Sequence, residues 1–322
     1  MMFMAGAVIL GLVLLVAGGE ALVRGATALA LRLKIPPAVV GLTIVAAGTS
    51  MPELVVSVQA ALAGSPALAV GNVVGSNIFN IAAILGVAAL ISPLRVQGNT
   101  VRLEWPVMAL AAWQLHLLSR DGTLDRLEGA FFLGALVAFT AYLVHVVRRG
   151  ATEAETQALE SVSPQEPDEG EPPLPAALGA LLLGVALLVG GAHALVYGAS
   201  EIARAVGVSE AVIGLTVVAA GTSLPELAAS AVAAWKGRDD IAVANVVGSN
   251  IFNVLAIAGT TAIIHPLPVP AEIIARDNLW MLAVSLLLLP LMRSDMRISR
   301  LEGAVLLAAF ITYLGLLMTG AR

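Results

Sequence analysis

Ten long apolar stretches constrain the fold of this chain more than any other feature of its sequence. Each approaches the ~20 residues that a helix needs to cross the hydrocarbon core of a bilayer. Backbone groups inside lipid have no water to bind, and a helix satisfies them within one segment. The sequence therefore predicts an all-α membrane protein with ten transmembrane helices, at roughly residues 3–31, 37–63, 67–92, 103–119, 127–147, 175–203, 210–235, 239–264, 274–292 and 301–319.

Composition supports this class of protein. Hydrophobic residues make up 59% of the chain and charged residues 12%, whereas soluble domains are usually about 25% charged. The chain has no cysteine, which excludes disulfides, thiolate metal sites and cysteine nucleophiles. The first apolar stretch lacks the basic start and cleavage pattern of a signal peptide, so we expect it to be retained as a span.

A polar segment at 148–174 divides the ten stretches into two sets of five. It is rich in Pro, Ser and Glu and has no basic residue after Arg149, which is typical of a solvated linker. The sequence thus predicts one domain at 1–147 and a second at 175–322. Eleven basic residues near the span ends fall on the side of the linker and five on the other side. The positive-inside rule therefore predicts a cytoplasmic linker and both termini outside.

The two sets of spans are copies of one unit. Residues 41–81 recur at 214–254 with a constant offset of 173 positions, and 27 of these 41 pairs are identical. Because each copy holds an odd number of spans, the second copy must enter the membrane in the opposite sense. Inverted repeats of this kind place the substrate site of many secondary transporters near the bilayer midplane. The predicted architecture, two inverted five-helix repeats, therefore favours transport.

Each copy carries Gly-Thr-Ser-x-Pro-Glu in the middle of an apolar stretch. Proline has no N–H and clashes with the carbonyl four residues earlier, so Pro52 frees the oxygen of Gly48 and Pro225 frees that of Gly221. A broken helix at membrane depth is tolerated only where protein or a watery cavity satisfies its backbone. We therefore predict a cavity at the two breaks.

Oxygen-bearing side chains cluster around each break. Helical spacing places a carboxylate and two hydroxyls on one face, and amides and hydroxyls recur every four residues in the following helix. The two faces comprise Ala46, Thr49, Ser50 and Glu53, and Ala219, Thr222, Ser223 and Glu226; the following helices add Asn72, Ser76 and Asn80, and Asn245, Ser249 and Asn253. Ligand sets made only of oxygen suit hard cations such as calcium and sodium, and they disfavour zinc and copper.

Charge favours exchange of cations at the two glutamates. Glu53 and Glu226, brought together by a pseudo-two-fold axis, repel each other in an empty site unless one holds a proton. One calcium ion neutralises the pair, and two sodium ions do the same. Competition between these ions at one site that opens alternately to each side is antiport. Acidic residues inside a membrane are moreover functional by default.

With these motifs the chain resembles the cation/calcium exchanger superfamily, in its sodium/calcium exchanger branch of prokaryotic type. The doubled Gly-Thr-Ser-x-Pro-Glu and Gly-Ser-Asn-Ile-Phe-Asn are similar to the alpha repeats of that branch, whereas the Gly-Asn-x-x-Glu-His typical of the proton/calcium branch is absent. Several relatives have an aspartate at the position of Asn253, so the resemblance leaves the number of sodium ions open. It implies that the Gly-rich first and sixth spans slide as a pair against the other eight.

The resemblance also implies roles for individual residues. Calcium would be ligated by the carboxylates of Glu53 and Glu226 and by the backbone oxygens of Thr49 and Thr222. The flanking sodium sites would be formed by small and hydroxyl residues, with two asparagines at the middle of the cluster. These residues are Ala46, Ser50, Ser76, Ala219, Ser223 and Ser249, and the asparagines are Asn80 and Asn253.

Together these observations predict a secondary active antiporter that exchanges sodium for calcium by alternating access. Proton-driven calcium exchange is the alternative within transport, and a non-transporting calcium-binding membrane protein is the alternative outside it. The sequence has no nucleophile with a base, no His-Glu-x-x-His spacing and no phosphate-binding glycine loop, so we do not expect an enzyme. We expect calcium, sodium and the lipid bilayer as partners, without a cofactor, nucleic acid or protein partner, in the plasma (inner) membrane of a prokaryote.

Overall fold

A computed structural model describes residues 2–33, 35–150, 173–205 and 219–319, and nearly all of them are helical. Most of the predicted linker and the first part of the seventh predicted span, at 206–218, lie outside the described residues. The α-helices are Met2–Leu33, Pro37–Val40, Ala46–Thr49, Met51–Leu62, Pro66–Ile78, Leu85–Ile91, Trp105–Leu118, Arg126–Gly150, Leu174–Ala205, Ala219–Gly221, Leu224–Trp235, Asp239–Phe252, Gly259–Ile264, Asn278–Arg293 and Arg300–Thr319.

Short wide turns of π-helix continue several of these helices. A π-turn forms when one carbonyl accepts from the residue five positions on, and such turns are frequent at functional sites. They lie at Gly41–Val45, Phe79–Ile84, Thr100–Glu104, Asn253–Ala258 and Ile273–Asp277, and a 3₁₀ turn lies at Ser119–Asp121.

Seven helical stretches of the described chain are long and apolar enough to cross a membrane. The pair Pro37–Thr49 and Met51–Leu62, bent by 42°, raises this number to eight. The eight coincide with predicted spans, and the fourth and seventh predicted spans are not among them. The seventh lies partly outside the described residues. The fourth corresponds to the π-turn Thr100–Glu104 and the helix Trp105–Leu118, where Arg102, Glu104, Gln114 and His116 make the segment less apolar than the other spans. The protein is thus a helical membrane protein.

Both predicted helix breaks are present. The helix stops at Ser50, with φ −86° and ψ 7°, and again at Ser223, with φ −90° and ψ 8°. A new helix starts at the next residue, with Pro52 or Pro225 in its first turn. Proline fits there because the first turn of a helix has no internal acceptor for its N–H groups. Each glutamate therefore lies in the first turn of a new helix.

The centre of the molecule is formed by the helical stretches that follow the breaks. Most residues of Pro66–Ile91 and nearly all residues of Asp239–Ile264 are buried, whereas few residues of Arg126–His145 and Arg300–Leu317 are. A helix that is apolar all round and largely exposed in the isolated chain is suited to contact with lipid. The two buried stretches hold the asparagines and serines of the duplicated motif.

Two short pairs of strands connect the halves of the chain reciprocally. Leu94–Arg95 pairs antiparallel with Arg297–Ile298, and Thr123–Leu124 pairs antiparallel with Leu267–Pro268. Leu94 and Leu267 are 173 positions apart, which is the offset of the sequence repeat. Corresponding loops of the two halves thus exchange partners, which is the pattern expected of two units related by a pseudo-two-fold axis.

The helices Met2–Leu33 and Leu174–Ala205 cross in close contact along glycines spaced seven residues apart. A Cβ atom built on Gly25 would lie 2.6 Å from the backbone nitrogen of Leu181, and one built on Gly184 would lie 2.6 Å from that of Leu22. No side chain fits at such distances, so these glycines let the two backbones approach each other. The same contact recurs at Gly11, Gly18, Gly191 and Gly198.

Candidate ion-binding site

The two glutamates of the motif are buried at the centre of the molecule. Glu53 and Glu226 are each 1% exposed. Each lies in the first turn of its helix, Met51–Leu62 or Leu224–Trp235, where free N–H groups and the helix dipole stabilise negative charge. The helix breaks thus place two carboxylates where their charge is partly stabilised before any ion arrives.

Hydroxyls of one repeat bind the carboxylate of the other. Ser50 Oγ donates to Glu226 Oε1 at 2.7 Å, and Ser223 Oγ donates to Glu53 Oε1 at 2.9 Å. The hydroxyls of Thr49 and Thr222 also interact with Glu226 and Glu53 respectively. Because every one of these contacts crosses between repeats, the two breaks meet at a single site.

Several oxygens at this site have no hydrogen-bond donor among the described residues. Buried polar atoms are otherwise almost always paired, so a cluster of unpaired oxygens indicates a place for a cation. The unpaired atoms at the site are Glu53 Oε2, Glu226 Oε2, Asn80 Oδ1, Asn253 Oδ1 and Ser249 Oγ. The two asparagines lie in π-turns that pack against the helix carrying the glutamate of the other repeat.

Neither glutamate has a basic partner in the described part of the chain. Arg24, the basic residue deep in the first predicted span, forms an ion pair with Glu20 at 2.7 Å, and its side chain is 72% exposed. Burying two carboxylates without a counter-charge is costly, so a bound cation is the natural means of neutralising them. No group of three or more His, Cys, Asp or Glu that could hold a metal occurs among the described residues.

Most of the other predicted ligands are buried near the two helix breaks. Ser223 Oγ lies 3.3 Å from Ser76 Oγ, which brings Ser76 to the site. The hydroxyl of Thr49 contacts the carbonyl oxygen of Ala46 at 3.3 Å. Ala219 begins the helix Ala219–Gly221, and its side chain lies outside the described part. The side chains buried with the glutamates are Ala46, Thr49, Ser50, Ser76, Asn80, Ser223, Ser249 and Asn253.

Sequence reasoning missed Ser57 and Ser230, which the structure places beside Asn72 and Asn245. These asparagines share the four-residue spacing of the predicted ligands, which suggested further neutral oxygens for an ion. In the structure their amide nitrogens instead contact the helices that carry the glutamates. The two serines recur at the same place in both copies, which is the signal that could have identified them.

Comparison with known proteins shows the family to which the chain belongs. The model of the sodium/calcium exchanger protein family matches residues 3–145 and 176–319. The CaxA protein of Alkalimonas amylolytica is 43% identical over 97% of this chain and 98% of its own length. The inner membrane protein YrbG of Escherichia coli is 37% identical over 98% of this chain and 97% of its own length. The sodium/calcium exchanger MaX1 of Methanosarcina acetivorans is 32% identical over 95% of this chain and 96% of its own length.

Solved structures show the same architecture. The sodium-calcium exchanger NCX_Mj soaked with 2.5 mM Na⁺ and 0.1 mM Ca²⁺ superimposes with a TM-score of 0.81. The two sequences are 29% identical over 97% of this chain and 98% of that one. With zero Na⁺ and Ca²⁺ the same exchanger gives a TM-score of 0.84. The likeness therefore covers both halves of the molecule.

Proposed function

Because this chain belongs to the sodium/calcium exchanger family of membrane antiporters, we propose that it exchanges sodium for calcium across the membrane. The observation that carries this proposal is the reciprocal pair of hydrogen bonds between Ser50 and Glu226 and between Ser223 and Glu53. These bonds bring one carboxylate from each repeat to a single buried site. The site is built from oxygen atoms, which suits both calcium and sodium.

We assign the ligands as the family resemblance implies. The carboxylates of Glu53 and Glu226 and the backbone oxygens of Thr49 and Thr222 bind calcium. The unpaired Oε2 atoms of both glutamates support this assignment, since each carboxylate keeps one oxygen free for an ion. Sodium ions occupy flanking positions, with the asparagines between them. The flanking residues are Ala46, Ser50, Ser76, Ala219, Ser223 and Ser249, and the asparagines are Asn80 and Asn253.

Exchange follows from the charge of the site. In the empty site, two buried carboxylates face each other without a counter-ion. A conformation that closes the empty site to both sides of the membrane is therefore unfavourable. One calcium ion neutralises them, and sodium ions can do the same. The loaded site can therefore change its side of access, whereas the empty site resists that change. This difference couples the entry of one ion to the exit of the other.

The architecture that supports alternating access is two inverted five-helix repeats, at 1–147 and 175–322. The reciprocal strand pairs support this relation between the halves. The close glycine contacts between Met2–Leu33 and Leu174–Ala205 support movement of these two helices as a unit against the others. We place the linker at 148–174 in the cytoplasm and both termini outside the plasma membrane of a prokaryote, as the distribution of basic residues predicts.

Flux into proteoliposomes tests the proposal. We expect calcium uptake into vesicles loaded with sodium, and none into vesicles loaded with potassium or choline. Calcium uptake driven by a pH gradient, without sodium inside the vesicles, would instead establish proton-driven exchange, because two protons also neutralise two carboxylates. Calcium that binds to the protein without crossing the bilayer under either gradient would establish a non-transporting calcium-binding protein.

A further inference from the structure

One asparagine in each repeat contacts the turn that carries the buried glutamate. Asn72 Nδ2 lies 3.2 Å from the backbone oxygen of Glu53 and 2.9 Å from Ser57 Oγ. In the second repeat, Asn245 Nδ2 lies 3.5 Å from the backbone oxygen of Glu226 and 3.0 Å from Ser230 Oγ. The same arrangement therefore occurs twice, at positions that correspond in the two copies.

We propose that Asn72 and Asn245 are positioning residues that set the place of the two glutamates and thereby the affinity for calcium, without binding the ion themselves. The proposal rests on the proposed function and adds residues to which neither the family resemblance nor the comparisons give a role.

The orientation of each amide follows from its partners. A backbone carbonyl can only accept a hydrogen bond, so the amide nitrogen and not the amide oxygen must face Glu53 or Glu226. A side-chain amide has two N–H groups, and here one is directed at the carbonyl and the other at the serine hydroxyl one turn later. The nitrogen cannot bind a cation, so this end of the asparagine is occupied by the protein.

The oxygen of Asn245 is occupied as well. It lies 3.4 Å from Thr49 Oγ1 of the other repeat, whereas the proposed calcium ligand of Thr49 is its backbone oxygen. Asn80 and Asn253 differ, because their amide oxygens have no partner among the described residues. The four asparagines share one helical spacing, yet the structure separates those that are free to bind an ion from those that hold other groups.

The contacted turn needs an external attachment. The N–H groups at the start of a helix have no acceptor within the helix, and Pro52 and Pro225 lack an N–H altogether. The turn that carries each glutamate therefore has fewer hydrogen bonds within its own helix than the later turns have. An amide that binds the backbone oxygen of the glutamate and the serine one turn later fixes that turn to the neighbouring helix.

Calcium depends more on this attachment than sodium does. Calcium ligands lie at about 2.3–2.6 Å from the ion, and both carboxylates must reach it together. The proposed sodium positions rely more on hydroxyl and carbonyl oxygens. Loss of a hydrogen bond that orients a metal ligand typically lowers metal affinity about 10- to 100-fold. We therefore expect the half-saturating calcium concentration to rise more than the half-saturating sodium concentration.

The chain offers matched controls in the same helices. Asn77 and Asn250 are buried asparagines whose amides donate to their own helix, to the oxygens of Val73 and Val246 at 2.7 and 3.0 Å. Asn77 is the stricter control, because the amide oxygen of Asn250 has no partner among the described residues. Replacing either by alanine removes a buried amide of the same size without touching the turn of a glutamate. A merely structural effect of losing an asparagine should therefore appear in the controls as strongly as in the test variants.

The experiment measures sodium-driven calcium uptake and calcium-dependent thermal stabilisation of the purified protein for Asn72→Ala, Asn245→Ala, Asn77→Ala and Asn250→Ala. We expect the half-saturating calcium concentration to rise about 10-fold or more in the first two, with a smaller change for sodium, and to stay near wild type in the controls. The effect should be larger at Asn245, which is fully buried and also holds Thr49. Equal effects in test and control variants would overturn the proposal.

Two further variants keep the test decisive. Asn245→Leu keeps the volume of the side chain but loses the amide, so it should weaken calcium binding as Asn245→Ala does; calcium affinity equal to that of wild type would contradict the positioning role. If Asn245→Ala does not fold, Ser230→Ala removes one acceptor of the same amide and should raise the half-saturating calcium concentration more modestly. Absence of sodium-driven uptake in the wild type would contradict the proposed function alone, because thermal stabilisation by calcium still reports on positioning.

Discussion

The two halves of the molecule contact each other reciprocally at the ion-binding site and unequally towards the ends of their long helices. At the site, Ser50 binds Glu226 as Ser223 binds Glu53, at 2.7 and 2.9 Å. Away from it, the helix Met2–Leu33 is tied to the second half by an ion pair between Glu20 and Lys236 at 2.8 Å. A hydrogen bond from Arg238 to Thr27 lies beside that ion pair.

Among the described residues, the helix Leu174–Ala205 has no equivalent of these contacts with the first half. The positions that correspond to Glu20 and Lys236 are His193 and Ala63, which cannot form an ion pair. Gly19 packs closely on Val232, because a Cβ built on it would lie 2.9 Å from that side chain. In the described residues, the helix Leu174–Ala205 makes only sparse contacts with Met51–Leu62. The described contacts are therefore denser on the side of Lys236 than on the opposite side, and we infer that this side is the closed one.

The comparison separates two tasks. An exchanger must offer similar ligands whichever side is open, so the site can be symmetric. Access must differ between the two sides at any moment, so the contacts around the site cannot be symmetric in a single state. Variants at the symmetric site should therefore affect ion binding, and variants of the asymmetric contacts around it should affect access.

Removing either carboxylate should have the largest effect. Glu53→Gln and Glu226→Gln should each reduce calcium uptake to background, because one remaining charge cannot neutralise a divalent ion, while the volume of the side chain hardly changes. Uptake into sodium-loaded vesicles measures this, and Glu20→Gln, outside the site, is the control. Substantial uptake by only one of the two variants would show that the carboxylates are not equivalent.

Adding a carboxylate at the middle of the site should change sodium dependence. In Asn253→Asp a third negative charge joins Glu53 and Glu226, so more sodium should be needed to displace calcium, and uptake should depend more steeply on internal sodium. Asn80→Asp makes the same change at the corresponding position of the other repeat and should behave alike. A change in only one of these variants would place an asymmetry inside the site.

Acidification should inhibit exchange through the site itself. A proton on either glutamate removes charge that calcium needs, so lowering the pH from about 8 to about 5, towards the usual range of carboxyl groups, should raise the half-saturating calcium concentration. High calcium should restore the rate, since protons and calcium compete for the same oxygens. A rate that does not change down to about pH 5 would contradict this competition.

Breaking the peripheral ion pair should have the smallest effect. Glu20→Gln removes the partner of Lys236, and partly exposed ion pairs contribute about 0–1 kcal/mol, so the closed side should open at most about fivefold more often. The chain has no cysteine, so the rate at which a maleimide labels Val232→Cys reports this opening. Arg24→Gln, which leaves Glu20 and Lys236 together, should not change the rate, and unchanged labelling in Glu20→Gln would exclude a closing role for the ion pair.

Local chemistry in the sequence predicted much of the fold and part of the site. Eight of the ten predicted spans meet the requirements of length and composition, because lipid admits little besides long apolar helices. The breaks at Ser50 and Ser223 follow from proline, which acts on its own helix. The fourth span, predicted at 103–119, corresponds to the π-turn Thr100–Glu104 and the helix Trp105–Leu118, because apolar composition does not reveal where a π-turn replaces regular helix.

The sequence by itself determined which residue types are buried in the membrane and where each helix breaks, since both depend on neighbours a few positions away. Only the tertiary structure decided that Ser50 binds Glu226 rather than Glu53 and that Glu20 pairs with Lys236. It also decided that Asn72 and Asn245 bind a backbone turn, whereas Asn80 and Asn253 keep an amide oxygen without a partner among the described residues. Helical spacing gives the face on which a side chain lies. It does not give the rotation and height of that helix against a partner helix elsewhere in the chain, and those set which atoms meet.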